Sequence, residues 1–447
     1  MIIDDVTYGA ILAKINPSVA NPVHFNYTAY FTDEKQAVIP VHNLTNLHRL
    51  SKFNTAMADH LFVDLMMIKS EYFKLIGANR RLLQLHLTRT PNSIAGTNSR
   101  VGNAVTEVYN AYLTENSSEA IETRSGQLTG NYTDDLGELV EIDVQLVELG
   151  LSEFRLWDIG GVYRNVTIGN LLQGLMSQPL KAKGPNGSPG YNVTLYPPDN
   201  KEIYYQLVVP NGVGLSDLPG WVQKQWGVYS SGLGYYLYQG MWYLYPLYDT
   251  SRYAKAKKRL TIVNVPSNEM HGNTHSYVLE NDELFILATG KTKHEDTADR
   301  LMDLSGTGFK AAKMDNLVDK FHDSANGETI VPKGRNLMAV SFEQREGELT
   351  HIKAVNGLFT SNVWEASSNS IVNMGNIVVV AWENSNPSLL YPGMPIRFTY
   401  KYRGVAYALN GALLAVDTKV QTYMGNLTDE QYVSKSILTL YTERATR

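Results

Sequence analysis

The stretch YYLYQGMWYLYPLYD, residues 235–249, places two alternating aromatic runs on either side of Gln239-Gly240. A glycine at the second loop position is typical of a tight hairpin with a two-residue turn. The register that follows gives three cross-strand pairs: Tyr238 with Met241, Leu237 with Trp242, and Tyr236 with Tyr243. The sequence therefore predicts an aromatic β-hairpin.

This hairpin has two apolar faces, and each needs a cover. One face carries Tyr236, Tyr238, Met241, Tyr243 and Tyr245, and the other carries Tyr235, Leu237, Trp242 and Leu244. We expect a helix to cover one face and another subunit to cover the other. The candidate interface residues are Tyr236, Tyr238, Trp242, Tyr243 and Tyr245. Exposed aromatics can also stack on sugars or bases, but no cluster of acids or amides marks a sugar site here.

The composition fits a multidomain globular protein of two to four domains. The chain has 447 residues, 43% hydrophobic residues, no cysteine and a net charge of -5. The lack of cysteine excludes disulfides and thiolate catalysis, and the acidic balance argues against a dedicated nucleic-acid binder. The sequence shows neither a targeting segment nor an apolar run long enough for a spanning helix.

Clear strands alternate along the chain. Leu83, Leu85 and Leu87 share one face of a strand, and residues 138–146 alternate apolar side chains with Glu141, Asp143 and Gln145. These acids must face water, another subunit or an aqueous lumen. The segment around Ile437, Thr439 and Tyr441 is predicted as the last strand.

Two short helices are predicted in the middle of the chain. Thr167 is the expected N-cap of a helix whose apolar stripe comprises Ile168, Leu171, Leu172, Leu175 and Met176. Ser216 is the expected cap of a second helix, which Gly227 closes.

The predicted fold is α+β and mostly antiparallel β. Two small tube-type β-barrels flank a central α/β layer, with a polar insertion near 300–370. The predicted domains are an N-terminal barrel-like domain at 1–135, a central α+β domain with the aromatic hairpin at 136–265, connecting strands and the insertion at 266–370, and a C-terminal barrel at 371–447.

The order of segments resembles a known family. An acidic strand and a capped helix, residues 139–178, are followed by a VVP strand, a short helix and the aromatic hairpin, residues 205–249. The C-terminal stretch NPSLLYPGMPIRFTYKYRG, residues 386–404, adds an L-x-PG turn before a strand. This order resembles the baseplate hub, or tube-initiator, family of contractile-tailed phages.

That resemblance implies a virion structural protein rather than an enzyme. It implies a homotrimer whose two barrels per chain form a pseudo-sixfold ring between the tail tube protein and the central spike protein, beside the baseplate wedge proteins. The expected location is the phage tail baseplate, assembled in the host cytoplasm. Glu141 and Asp143 are candidates for a lumen wall along which DNA passes. No catalytic residue, cofactor or metal is carried over. The alternatives are a carbohydrate-binding or glycan-cleaving tail protein and a connector or capsid ring subunit.

Other chemical motifs are weak. His271 and His275 have metal-ligand spacing but sit among poor helix formers, and His294-Glu295 lacks a second histidine. The acid pairs Asp134-Asp135 and Asp282-Glu283 are expected to be solvated turns. The basic run Lys255, Lys257, Lys258 and Arg259 is expected to be a solvated loop before a strand, with contact to an acidic ring or to DNA as the alternative.

Overall fold

The computed structural model describes most of the chain. The described residues are 2–15, 24–54, 60–78, 82–92, 104–114, 139–149, 151, 154, 157–177, 192–265, 277–293, 308–314, 337–343, 375–422 and 432–444. Much of the predicted insertion at 300–370 therefore lies outside them.

The described chain is mostly β-strand. The strands of its first third are β1 (Ile2–Ile3), β2 (His24–Thr32), β3 (Val38–Pro40), β4 (Asn43–Lys52), β5 (His60–Ile68), β6 (Gln84–Asn92), β7 (Val105–Leu113) and β8 (Leu139–Glu148). Those of the middle are β9 (Gly161–Thr167), β10 (Asn192–Leu195), β11 (Ile203–Val209), β12 (Leu233–Tyr238), β13 (Met241–Pro246) and β14 (Arg259–Asn264). Those of the last third are β15 (Tyr277–Glu280), β16 (Glu283–Lys293), β17 (Gly308–Met314), β18 (Leu337–Glu343), β19 (Asn376–Glu383), β20 (Pro395–Tyr402), β21 (Val405–Thr422) and β22 (Tyr432–Thr442).

Helices are few and short among the described residues. They are α1 (Asp5–Ile15), α2 (Lys69–Gly77), α3 (Ile168–Met176) and α4 (Leu218–Gln225), with 3-10 turns at Thr250–Ala254 and Pro387–Leu389. The prediction of a β-dominated chain is confirmed.

The strand pairings form two closed rings of hydrogen-bonded strands, which we call the C-terminal and N-terminal circuits. Both circuits include the pair β21–β22. The C-terminal circuit runs β21-β20-β14-β16-β19-β22 and returns to β21. The N-terminal circuit runs β22-β2-β6-β7-β8-β5-β4-β21 and returns to β22, with Phe25 and Tyr432 as the one β2–β22 register pair. The last two strands of the chain therefore help to close both circuits. The predicted domain boundaries stay predictions.

Strand β21 can serve both circuits because it is long and carries an irregularity. Its first half pairs with β20, and its second half, from Ala415 to Gln421, pairs with β4. The register shifts between Leu413 and Ala415. A bulge of this kind bends a strand and increases its local twist, which lets one continuous strand pass from one circuit to the next.

Three main cores follow from these elements. One fills the N-terminal circuit, one joins α3 and α4 to the sheets of the middle region, and one fills the C-terminal circuit. Helix α1 lies outside the C-terminal circuit, where Tyr8 and Ile15 pack with Val263 and Phe285. The middle region contains the sheet β10-β13-β12 and the separate pair β9-β11.

Local patterns predicted several elements correctly. Thr167 caps α3 by accepting a hydrogen bond from the Asn170 amide, and all five predicted apolar side chains of that helix are buried. The alternation of β8 is confirmed, because Ile142, Val144 and Leu146 are buried while Glu141 is exposed.

One local prediction needs correction. Ser216 is buried and does not cap α4; instead the carbonyl of Gly214 accepts from the amides of Asp217 and Leu218, so the turn before the helix satisfies them. The predicted last strand is confirmed as β22, in which Leu438 and Leu440 are buried and Ile437 is exposed.

Replacing Thr167 by alanine should lower the free energy of unfolding by about 1 kcal/mol, because the cap bond to the Asn170 amide is lost. Thr167→Ser is the matched control, since it keeps the accepting hydroxyl and should cost much less. Urea denaturation followed by circular dichroism measures both. Equal stability of the alanine variant and the parent would show that the cap contributes nothing.

Candidate functional site

The hairpin β12–β13 has the predicted turn and register. Tyr238 pairs with Met241, Leu237 with Trp242 and Tyr236 with Tyr243. The loop residues Gln239 and Gly240 have φ values of 50° and 72°. Positive φ at both loop positions is the type I′ geometry whose twist matches the flanking strands, and glycine adopts it without a Cβ penalty.

One face of the hairpin packs on helices, as predicted. Leu237, Trp242 and Leu244 are buried in the core that contains the apolar residues of α3 and α4. The Trp242 ring meets Phe154 edge to face at 5.2 Å between centroids, a favoured aromatic geometry.

The other face packs on the same chain, which corrects the prediction that another subunit covers it. Tyr236 and Tyr245 are buried in the core of the C-terminal circuit, together with Phe53. Phe53 lies at the end of β4, where its ring centroid is 5.1 Å from that of Tyr236. Its carbonyl accepts a 2.9 Å hydrogen bond from the Tyr245 hydroxyl. Sequence alternation shows that a face is apolar but does not show which element covers it.

The five candidate interface residues therefore divide into two groups. Tyr236, Trp242 and Tyr245 are buried within the chain and offer no surface to a neighbour. Tyr238 and Tyr243 are half-buried, and their interface role stays a prediction. Tyr243 already stacks on Tyr391 of the loop before β20, at 6.1 Å between centroids.

Two glycines make room for the Tyr245 ring. A Cβ on Gly234 would lie 2.4 Å from Cε2 of Tyr245, and a Cβ on Gly393 would lie 2.1 Å from the same atom. Gly393 also has a φ of 68°. The ring can lie flat between the hairpin and the β20 loop only because both positions lack a side chain.

A buried arginine anchors the end of the hairpin to the C-terminal circuit. Arg252 donates to the Gly393 carbonyl at 2.9 Å, and its guanidinium lies 5.4 Å from the Tyr245 ring centroid and 5.8 Å from that of Tyr196. Burial lowers the pKa of Arg252 from its ordinary value. Aromatic faces stabilise a cation that has lost water. Through its contacts with Tyr245 and Gly393, this arginine connects the end of β13 to the C-terminal circuit.

The tip of the hairpin contacts the N-terminal circuit through two carboxylates. The side chain of Gln239 donates to Glu107 on β7 at 3.1 Å, and the Gly240 amide donates to Glu148 at the end of β8 at 2.8 Å. The Arg49 guanidinium of β4 lies 5.1 Å from the Tyr238 ring centroid. The hairpin therefore contacts all three cores.

One of these carboxylates, Glu107, borders a cavity of about 80 Å³ at the N-terminal circuit. Arg49, Arg89, Tyr109 and Tyr238 also line this cavity, and most of the rest of its lining is apolar. Tyr109 donates to Glu107 at 2.7 Å, and an Arg49 nitrogen lies 3.9 Å from Glu107.

The two carboxyl groups have opposite pKa shifts. Burial raises the pKa of Glu148 to about 7, and the opposing effects of the Gly240 amide and Arg49 do not cancel it. Burial also disfavours the charged form of Glu107, but Arg49 and the hydrogen bonds from Tyr109 and Gln239 outweigh it, so its pKa lies below the ordinary value.

Sequence reasoning missed this charged cluster, although a signal was present. Glu148 continues the inward series of Ile142, Val144 and Leu146. Glu107 likewise shares a strand face with the buried residues Tyr109 and Ala111. A charged residue that continues a buried face needs a partner, and that rule would have selected both glutamates.

The candidate lumen acids lie on the outward face of the N-terminal circuit. Asp143 on β8 is directly opposite Asp64 on β5, and Glu141 is exposed on the same face. The pKa of Asp143 is raised by burial first and then by the charges of Asp64 and Glu141. The lumen-facing role of Glu141 and Asp143 stays a prediction.

The remaining motifs have plain outcomes. His271, His275, His294 and the pair Asp134-Asp135 lie outside the described residues. Lys255, Lys257 and Lys258 are exposed, as expected of a solvated loop.

Glu283 corrects the expectation that the pair Asp282-Glu283 is a solvated turn. It accepts hydrogen bonds from Tyr253, Thr261 and Arg259. Burial raises its pKa, but these hydrogen bonds outweigh burial and hold the pKa below its ordinary value.

Neither a metal-ligand cluster nor a membrane-spanning helix occurs among the described residues. No group of three or more histidine, aspartate or glutamate side chains in this part of the chain could hold a metal ion. The helices that the structure describes include none with the length and apolar character needed to cross a membrane.

Comparison with known proteins gave structural neighbours only. No protein-family model matches the chain, and no curated protein matches it. A tail protein from Neisseria meningitidis MC58 is similar, with 10% identity and a TM-score of 0.47, covering 93% of this chain and 96% of that chain.

Two further structures are also similar to this chain. The Escherichia coli c3393 protein, a type VI secretion component described as similar to the T4 phage tail proteins gp27 and gp5, has 8% identity and a TM-score of 0.38, covering 96% of this chain and 76% of that chain. A chain of the phage P2 baseplate in its activated conformation with Ca has 8% identity and a TM-score of 0.28, covering 93% of this chain and 98% of that chain. The structural neighbours are thus phage tail and baseplate proteins and a type VI secretion component.

Gly234→Ala should destabilise the protein by roughly 1–3 kcal/mol, because the added methyl group forces the Tyr245 ring out of its place. Gly174→Ala in α3 is the matched control. A Cβ there meets nothing within 4 Å, and alanine favours a helix interior by up to about 1 kcal/mol. Thermal unfolding of the two variants compares them. An unchanged melting temperature for Gly234→Ala would contradict the packing described for Tyr245.

Proposed function

We propose that this chain is a structural subunit of a phage tail, the baseplate hub that joins the tail tube to the central spike. It acts as a homotrimer. The order of its segments, with an acidic strand, a capped helix and an aromatic hairpin, supports the proposal through the family resemblance. The proposal assigns the chain a mechanical role, with no catalytic activity and no cofactor.

The observation that carries the proposal is the pair of closed strand circuits joined by β21 and β22. We take each circuit to be one tube-type barrel. Three chains then supply six barrels around one axis. The barrels follow an approximate sixfold symmetry, whereas the chains follow a threefold symmetry. A sixfold tube protein can dock on the six barrels, and a threefold spike protein can dock on the three chains.

The strand pair β21–β22, which both circuits share, makes this arrangement rigid. Because β21 and β22 belong to both circuits, the two barrels of one chain cannot rotate independently without breaking ladder hydrogen bonds. A fixed angle between barrels is what a ring of defined diameter requires.

The outward acids suit the wall of a channel. Asp64, Glu141 and Asp143 lie together on the outer face of β5 and β8. Like charges directly opposite each other in a sheet cost stability. A function that needs a negative surface potential would explain why the chain keeps these acids side by side. In the proposed ring they face the lumen, where repulsion of phosphate groups lets DNA pass without sticking.

Contact with other tail proteins requires surface that the folded chain leaves open. The outer face of β9 and β11 exposes Val162, Ile203, Tyr205 and Val208, with Tyr205 76% exposed. Apolar patches of this kind are typical of proteins that work in assemblies. The proposed partners are the tail tube protein, the central spike protein and the baseplate wedge proteins. The assembly takes place in the host cytoplasm, and the mature location is the virion.

The mass of the purified chain in solution tests the proposal. A trimer of chains of 49.9 kDa has a mass of about 150 kDa, and light scattering after size exclusion measures it. We expect particle images with threefold symmetry and six lobes. A stable monomer that also fails to join purified tail tube, or a ring of six chains, would contradict the hub.

A further inference from the structure

The cavity of about 80 Å³ at the N-terminal circuit contains a cation whose hydrogen-bond donors are left over. Arg49 on β4 lines this cavity, and its side chain is only 17% exposed. Among the described residues, its guanidinium meets Glu107 at 3.9 Å and the Tyr238 ring at 5.1 Å from the centroid. Neither contact is a hydrogen bond, because 3.9 Å exceeds the donor–acceptor distance of one. A mostly buried donor needs an acceptor, and the space beside Arg49 can hold one.

A second guanidinium faces the same space. Arg89 on β6 lines the cavity and donates to the side chains of Asn386 and Ser388 in the loop before β20. These two bonds leave part of its donor capacity unused. Burial raises the pKa of the Tyr27 hydroxyl, and both Arg89 and Arg49 oppose this effect. A charge acts on a hydroxyl in this way only at short range, so the two guanidinium groups lie near the same part of the cavity wall.

The charges on the cavity wall are unequal. Arg49 and Arg89 are cations, and Glu107 is the one acidic side chain among the described residues that line the cavity. Glu107 already accepts hydrogen bonds from the Tyr109 hydroxyl at 2.7 Å and from the Gln239 side chain at 3.1 Å. An additional anion in the cavity would therefore meet a net positive charge.

We propose that this cavity binds one small oxyanion, of the phosphate or sulfate type, between Arg49 and Arg89. The planar guanidinium matches two oxygens of such an anion. About 10–15 Å³ of this kind of space holds one water molecule, so the cavity has room for several waters or for one small oxyanion. It is too small for a nucleotide. The site lies within one chain, and it stands independently of the proposed trimer.

The bound anion connects two parts of the chain. Arg49 and Arg89 belong to strands of the N-terminal circuit, whereas Ser388 and Leu390 of the same lining belong to the loop before β20 in the C-terminal circuit. A ligand that binds only the folded chain shifts the folding equilibrium towards it. Sulfate should therefore raise the melting temperature of the protein as well as bind to it.

Isothermal titration calorimetry with sodium sulfate tests the site, at a constant ionic strength set with sodium chloride. At about pH 6, Glu148, whose pKa is raised by burial to about 7, is mostly protonated and does not compete for Arg49. We expect saturable binding of one sulfate per chain. Arg49→Gln should weaken this binding by about tenfold or more, because it removes a charged donor from the anion.

Arg49→Lys is a second variant, which keeps the positive charge beside Glu107 and is expected to fold. Lysine lacks the planar fork, so it should also weaken sulfate binding, but by less than glutamine does. Arg164→Gln is the matched control. It removes one positive charge from an exposed position of β9 and should leave the affinity unchanged.

Three results would each overturn the oxyanion site. They are the absence of saturable binding by the wild type at tens of millimolar sulfate, an unchanged affinity in the Arg49 variants, and a loss of binding in Arg164→Gln. The wild type and Arg49→Lys decide the matter even if Arg49→Gln fails to fold.

Discussion

The structure depends on the burial of both faces of one aromatic hairpin within a single chain. Leu237, Trp242 and Leu244 bury one face against the helices of the middle region, and Tyr236 and Tyr245 bury the other in the C-terminal circuit. Burial of large aromatic side chains is among the strongest stabilising contributions in a core. Because the two faces of the hairpin lie in different cores, the core of the middle region cannot separate from that of the C-terminal circuit without exposing aromatic rings to water.

Polar contacts fix how the hairpin sits between these cores. Arg252 holds one end through the Gly393 carbonyl, and the Tyr245 hydroxyl bonds to the Phe53 carbonyl. The tip ends on Glu107 and Glu148. Apolar burial is non-directional, so these directional bonds define the position that packing alone would leave adjustable. They lie within one chain, which makes the hairpin an internal brace.

Local patterns in the sequence were enough to predict elements, because turn chemistry and periodicity act over a few residues. The Gln239-Gly240 turn fixed the hairpin register, and Thr167 with its apolar stripe fixed α3. The closure of the circuits could not be predicted in this way, because β21 pairs with β4 across more than 350 residues of chain.

The same limit explains the errors at the candidate site. Alternation identified both apolar faces of the hairpin, but the element that covers each face is set by tertiary packing. Ser216 has the residue type of a cap, yet the backbone carbonyl of Gly214 had already taken that role. Glu107 and Glu148 looked like ordinary strand acids until their faces were compared with those of their neighbours.

Hydroxyl-radical footprinting of Tyr236, Trp242 and Tyr245 across a dilution series tests the internal brace most directly. If the hairpin is buried by its own chain, the three rings stay protected at concentrations where the protein is monomeric, to the same degree as in the assembled form. Oxidation of these rings in the dilute monomer, with protection appearing only on assembly, would show that a neighbouring subunit covers them and would contradict the account.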